Sequence, residues 1–213
     1  MDSPKLQIAL DTTSMCSAFQ ILGNGLDDTV DIVECGTMLI LHEGLHAVDY
    51  LRTIYPDKLL VADFKCVAPH FGSRIIEHDP DFITILSQAE NHVQESISRE
   101  AIERGKGQQA QIEIYGNYTL DDVKRWRSYG ITHVIYNRPR ARTGEWSEID
   151  VRDLQSLIDL GMNVTATGGI SYASLDVLSG LPLFAIICGR SVLKAESPAA
   201  EANRVKERML QLW

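Results

Sequence analysis

Eight short apolar runs, each followed by a longer polar or amphipathic stretch, recur along a chain of only 213 residues. The runs are Leu6 to Leu10, Asp31 to Val33, Leu59 to Ala62, Phe82 to Leu86, Ala110 to Ile114, His133 to Tyr136, Asn163 to Ala166 and Leu183 to Cys188. Near-continuous apolar runs of this length suit strands covered on both faces, as in parallel sheets flanked by helices. The intervening stretches carry helical signals. "EGLHAVDYLRTIY" spaces Leu45, Val48, Leu51 and Ile54 along one face. "TLDDVKRWRSYG" begins with Thr119 as an N-cap, has acids in its first turn, and stops at Gly130. "DVRDLQSLIDLG" turns Leu154, Leu157 and Ile158 inward and stops at Gly161, and a last helix runs from Pro198 to Leu212 with proline in its first turn.

Strand–helix alternation predicts an α/β fold with a parallel sheet. Eight units in so short a chain favour a closed (β/α)8 TIM barrel over an open doubly wound sheet. No GxGxxG follows the first run, so a dinucleotide fold loses its main support. Without a Gly/Pro/Ser-rich linker or a low-complexity segment, residues 1–213 are expected to form a single barrel domain.

Composition narrows the function classes. A net charge of -9 argues against nucleic acid and anionic membrane as partners, yet leaves room for a small anionic substrate at a locally positive site. No apolar run approaches the ~20 residues of a membrane span. The N-terminal "MDSPKLQIALD" lacks the pattern of a signal peptide, and Cys16, Cys35, Cys66 and Cys188 have no CxxC spacing. The expectation is a cytoplasmic protein with reduced thiols.

A barrel gathers the C-terminal ends of its strands at one mouth, where chemistry resides. Here those ends carry Asp11, Glu34, Asp63, Lys65, Glu113, Arg138, Arg140 and Thr167. One charge closing one strand usually marks only the approach to solvent. Several converging charges are expensive without partners or ligands. Glu34 and Asp63 read either as solvated rim acids or as two hard oxygen donors for Mg²⁺. Lys65, close to both, is expected to stay protonated, either in a structural ion pair or in the chemistry. "TATGGIS" and "ICGRSV" each close a strand with glycine and open a helix. Glycine admits an anion to backbone N–H groups, and the loops after the seventh and eighth strands are the usual phosphate cradle of such barrels, with Arg190 adding a charge-assisted bond. Ordinary turn chemistry is the alternative reading of these glycines. His42 and His46 share helical spacing but imply a surface rather than a metal pair; His78, His92 and His133 show no usable pattern.

The motifs "IALD", "DIVECGTMLILHEGL", "PDKLLVADFK", "QIEIYGNYTLDD", "GITHVIYNRPR", "TATGGIS" and "ICGRSV", in this order, with the ending "LQLW", span nearly the whole chain. The sequence resembles the 3-keto-L-gulonate 6-phosphate decarboxylases, relatives of hexulose-6-phosphate synthase and orotidine 5'-phosphate decarboxylase. The resemblance implies a Mg²⁺-dependent carboxy-lyase acting on a phosphorylated sugar acid, working as a homodimer in ascorbate-type sugar catabolism. By that resemblance Glu34 and Asp63 bind the metal or orient its ligands, and Lys65 sits beside the reacting carbons. Asp11 contacts the sugar chain, Glu113 and Thr167 contact hydroxyls or ordered water, and Arg140 positions the water that returns a proton. Gly169, Gly189 and Arg190 hold the phosphate.

Two positions depart from that family's pattern. D-x-K-x-x-D here ends in Ala68, where the acid lent across the dimer is expected, and Y-H-R-x-R-D here reads "YNRPRA", with Asn137 for histidine and Ala141 for the final acid. Asparagine orients water but does not titrate near neutrality. His70, in "PHFG", is a possible substitute for the missing groups. The departures leave two other readings open: a catalytically impaired sugar-phosphate-binding homologue, or an aldol enzyme like hexulose-6-phosphate synthase.

Overall fold

Apolar strands that cannot leave an edge in water find a closed solution here. The computed structural model describes residues 2–213 and closes eight parallel strands into one barrel in sequence order, β1-β2-β3-β4-β5-β6-β7-β8. The strands are β1 (Lys5–Leu10), β2 (Ile32–Cys35), β3 (Leu59–Cys66), β4 (Phe82–Leu86), β5 (Gln109–Ile114), β6 (His133–Asn137), β7 (Asn163–Thr167) and β8 (Ala185–Ile187). Around them lie α1 (Met15–Leu22), α2 (Leu26–Thr29), α3 (Thr37–Glu43), α4 (His46–Ile54), α5 (Pro69–Ile76) and α6 (Asn91–Glu103). The second half of the ring is α7 (Leu120–Ser128), α8 (Glu148–Asp159), α9 (Leu175–Leu178), α10 (Arg190–Leu193) and α11 (Pro198–Leu212).

All eight expected strands are present, and the boundaries of β3 and β8 moved most, each for a visible reason. β3 runs four residues further than its apolar stretch, because its pairing with β4 shifts register between Ala62 and Cys66 and then resumes. β8 is shorter than expected, since Leu183 turns onto Leu181 and only Ala185–Ile187 forms ladder. In α4 the buried face is Ala47, Val48 and Leu51; Ile54, in the final turn, is 49 % exposed, and half-buried Tyr55 packs on the core in its place. Ile158 is only partly buried, while Leu154 and Leu157 are fully so. Thr119 caps α7 through a reciprocal capping box with Asp122. His42 and His46 belong to different helices, because Gly44 at φ +73° ends α3 between them, and both are exposed.

The larger core lies between the strands and the helices, built from residues such as Ile8, Leu10, Ile83, Ile112 and Val134. Inside the barrel the strand registers stack four-residue layers drawn from alternate strands. Ile32, Phe82, His133 and Ala185 form one layer near the floor, and Gln7, Val61, Gln111 and Thr165 lie above it. Glu34, Thr84, Ile135 and Ile187 come next, and Ala9, Asp63, Glu113 and Thr167 open onto the mouth. Of these four layers only the upper two carry carboxylates, so the acids gather at the mouth while rings and aliphatic groups fill the lowest.

His133 marks the apolar end. It is 5 % exposed, its ring lies 4.8 Å from that of Phe82 and 4.6 Å from that of Phe184, and its Nδ1 has no partner. Burial, with Lys5 nearby, pushes its pKa down to about 4. The neutral ring is favoured by the fold, so the unfolded chain binds more protons between about pH 6.5 and 4 and stability falls as pH falls through that window. Compared with His133→Leu, the wild-type protein should lose up to about 3 kcal/mol over that range, measured by urea unfolding at a series of pH values; parallel pH profiles would contradict this.

Candidate active site

The third strand supplies the centre of the mouth. At the register shift Lys65 adopts φ +56°, the left-handed region, which costs a side-chain-bearing residue roughly 1–2 kcal/mol. Its N–H donates to Thr84 Oγ1 at 2.9 Å instead of to a ladder carbonyl. The same hydroxyl donates to Asp63 Oδ1 at 2.9 Å. Thr37, at the start of α3, donates to Asp63 Oδ2 at 2.8 Å. Two threonines from neighbouring elements therefore hold the bulge and its acid together.

Lys65 reaches from this bulge to two carboxylates. Its Nζ pairs with Asp63 Oδ2 and stands 3.0 Å from Glu113 Oε2. Burial works against the charged ammonium, but Asp63 and Glu113 outweigh it and hold the pKa above that of an ordinary lysine. Glu113 is pushed up, first by burial and then by Asp63; Lys65 and Asn137, whose Nδ2 donates to Glu113 Oε1 at 3.2 Å, pull it back. Glu34 is raised well above the usual carboxylate range by burial and then by Asp63, against the opposing effects of Gln7 and Lys65. Three acids thus share one lysine. Among the described residues no group of three or more His, Cys, Asp or Glu is placed to hold a metal ion by itself.

These side chains line a cavity of about 430 Å³ that also takes in Asp11, Asn137, Arg140 and Thr167. It shares Asp11, Asn137 and Thr167 with a second cavity of about 950 Å³ that reaches Gly169, Gly189 and Arg190. Every residue to which the family resemblance gives a role is brought to this pair of cavities. Arg138, expected at the mouth, is not; it turns away to Asp150, with Nε–Oδ2 at 3.0 Å, and to the carbonyls of Gly144 and Glu145. Arg140 lies exposed above Tyr115, 5.6 Å from the ring centre.

The glycine turns are fastened from below. Gly168, at φ +105°, packs so tightly on Arg138 that a Cβ would approach it to 2.7 Å, and its carbonyl accepts from Trp146 Nε1 at 3.1 Å. Ser191 Oγ donates to Ile170 O at 2.7 Å and joins the two turns. At Gly169 and Gly189, by contrast, a Cβ would meet nothing within 4 Å. The helices that follow are short: a 3-10 turn (Tyr172–Ser174) leads into the four-residue α9, and α10 also has four residues. One-turn helices have little dipole to offer, so what these turns can give an anion is open backbone and the exposed Arg190. Lys194 lines the same cavity and was not singled out from sequence.

Gln7, Thr37 and Thr84 were also missed. A usable signal existed for two of them: Gln7 and Thr84 interrupt apolar strands at inward positions, where a polar residue needs a partner. Cys35 and Cys66 flank the acids, and burial pushes both thiols up to about 12, so neither is a nucleophile near neutrality.

Residues 4–205 match the family described as orotidine 5'-phosphate decarboxylase / HUMPS. The chain belongs to that family. Among curated proteins it is 36 % identical, over the full length of both chains, to the 3-keto-L-gulonate-6-phosphate decarboxylase UlaD of Salmonella paratyphi B. Among solved structures it is similar to 3-keto-L-gulonate-6-phosphate decarboxylase from Vibrio cholerae O1 biovar El Tor, with a TM-score of 0.90, 32 % identity and full coverage of both chains. It is also similar to a ligand complex of the Streptococcus mutans enzyme KGPDC, with a TM-score of 0.90, 29 % identity and 99 % of each chain covered. A 3-hexulose-6-phosphate synthase from Salmonella typhimurium shares the fold at 24 % identity and a TM-score of 0.86.

Within this family member, Ala68 occupies the N-cap of α5 and makes no side-chain cap bond. Ala68→Asp should therefore stabilise the folded protein by about 1 kcal/mol, whatever it does to turnover. Urea unfolding of the two proteins checks this; an unchanged or lowered midpoint would mean the acid faces elsewhere.

Proposed function

We propose that this protein is a carboxy-lyase that decarboxylates 3-keto-L-gulonate 6-phosphate to a pentulose 5-phosphate with the help of Mg²⁺. The observation that carries the proposal is the Lys65 ammonium, held between Asp63 and Glu113 in a cavity that runs into the one reaching Gly169, Gly189 and Arg190. Relatives named as 3-keto-L-gulonate-6-phosphate decarboxylases, matched over their whole length, support the substrate and reaction class. The ligand complex of the Streptococcus mutans relative supports a phosphorylated sugar as ligand.

The donor set fits Mg²⁺, which is held through one or two carboxylates with substrate oxygens and water completing its shell. Glu34 and Asp63 would supply the carboxylates, and the excess of three acids over one lysine favours an added cation. When bound, the ion would help neutralise negative charge developing on a substrate oxygen. The chain's own residues do the rest. With the phosphate at Gly169, Gly189 and Arg190, the sugar acid extends past Asp11 and Thr167 toward Lys65. Its carbon–carbon bond breaks, CO₂ departs, and the electron pair remains as an enediolate beside the Lys65 ammonium. A water ordered by Arg140 and Asn137 returns the proton to carbon. The active unit is a homodimer, in keeping with exposed apolar residues beside the mouth: Met38, which lines the cavity, Leu41 one turn further along α3, and Val67 beyond the bulge.

A second reading has its own observation. Asn137 donates to Glu113 and cannot exchange a proton there, and Ala68 offers no acid, which suits a sugar-phosphate-binding homologue with impaired turnover or one that runs an aldol reaction. The deciding assay follows CO₂ release from 3-keto-L-gulonate 6-phosphate. Turnover should require Mg²⁺, and Lys65→Ala should lower it by ~10³-fold or more. No CO₂ at high enzyme concentration, with activity gained by Ala68→Asp combined with Asn137→His, would identify the impaired homologue. Condensation of formaldehyde with a pentulose phosphate in place of CO₂ release would identify the aldol enzyme.

A further inference from the structure

The layer directly beneath the carboxylates is unusual for a barrel interior. Such layers are mostly filled by branched apolar side chains. Here two of the four residues are glutamines: Gln7 on β1 and Gln111 on β5, facing each other across the barrel, 0 % and 1 % exposed. Each has only half of its amide matched. Gln111 Nε2 donates to Thr165 Oγ1 at 3.3 Å, and Gln7 Nε2 donates to Glu34 Oε2 at 2.6 Å. Neither Gln7 Oε1 nor Gln111 Oε1 has a protein donor. A buried amide with an unmatched oxygen destabilises a fold relative to an apolar residue of similar size. Local sacrifices of this kind concentrate where a function needs them.

The two glutamines differ in what they touch. Gln111 meets only Thr165, within its own layer. Gln7 reaches up one layer and engages a carboxylate that lines the cavity. That bond, between two buried side chains, is the only hydrogen bond the Glu34 carboxylate makes among the described residues. It commits Oε2, restrains the rotation of the carboxylate, and leaves Oε1 as the oxygen with no protein donor. We propose that Gln7 is a positioning residue that presents Glu34 to the divalent cation, acting through Glu34 and touching neither metal nor substrate. This inference rests on the reading of Glu34 as a metal ligand. Hydrogen-bond partners behind metal ligands typically contribute 10- to 100-fold in metal affinity, through orientation and ligand basicity.

Gln111 supplies the internal control, being equally buried in the same layer but out of contact with the acids. The full-length protein, Gln7→Leu, Gln7→Met and Gln111→Leu would each be titrated with Mn²⁺, followed by its EPR signal, with and without saturating pentulose 5-phosphate. Thermal unfolding of each variant, taken alongside, separates misfolding from weak binding. The expected result is roughly 10- to 100-fold weaker Mn²⁺ binding for both Gln7 variants and unchanged affinity for Gln111→Leu. Wild-type affinity in a folded Gln7 variant would overturn the inference while leaving the metal reading intact, as would an equal loss in all three variants, since that would reflect the layer's packing alone. A wild-type protein that binds no Mn²⁺ under either condition would overturn the metal reading itself, and this inference with it.

Discussion

The Lys65 ammonium stands between the carboxylates of Asp63 and Glu113, and the upper half of the barrel is arranged around that contact. The lysine can reach both acids only because β3 breaks its register with β4 there and Lys65 takes a left-handed backbone conformation. Thr84 and Thr37 hold the break in place by hydrogen bonds to the Lys65 N–H and to Asp63. Glu113 is tied in turn by Asn137 on the next strand. β3, β4, β5, β6 and α3 are therefore tied together around one half-buried positive charge.

The interior shows how a small barrel tolerates such a cluster. Apolar rings close the floor around a histidine that burial keeps neutral, and the carboxylates are confined to the two layers nearest the mouth. Glu34 and Glu113 are driven above their usual pKa by burial and by Asp63, so the acids are short of positive charge even with Lys65 in place. A site with that imbalance, opening on a cavity that leads to two glycine turns, is suited to a cation together with an anionic ligand whose developing charge needs compensation.

Much of this was legible in the sequence, because period and position carry the information. Eight apolar runs in 213 residues leave little alternative to a closed barrel, and closing the barrel places the residue that ends each strand at one mouth. Asp11, Glu34, Asp63, Lys65, Glu113, Arg140 and Thr167 could all be placed at the mouth on that ground, and Asn137 through the family resemblance. Arg138 could not be read correctly, since its direction depends on Asp150, twelve residues further along the chain. The extension of β3 through its bulge was equally hidden, because the pairing partner that shifts is on another strand. Gln7 and Thr84 left a signal as polar residues interrupting apolar runs, but which groups they hold is set by the strands around them; Thr37, at the start of α3, left none. That a helix follows each glycine turn was legible, but glycine says nothing about how many helical residues it has.

The most direct test of the account is a crystal structure of the protein soaked with Mg²⁺ and a pentulose 5-phosphate. It should place the phosphate against Gly169, Gly189 and Arg190, with the sugar carbons running to Lys65 Nζ while Lys65 still bridges Asp63 and Glu113. A sugar phosphate bound elsewhere, or a Lys65 turned out of the cavity in the complex, would contradict it.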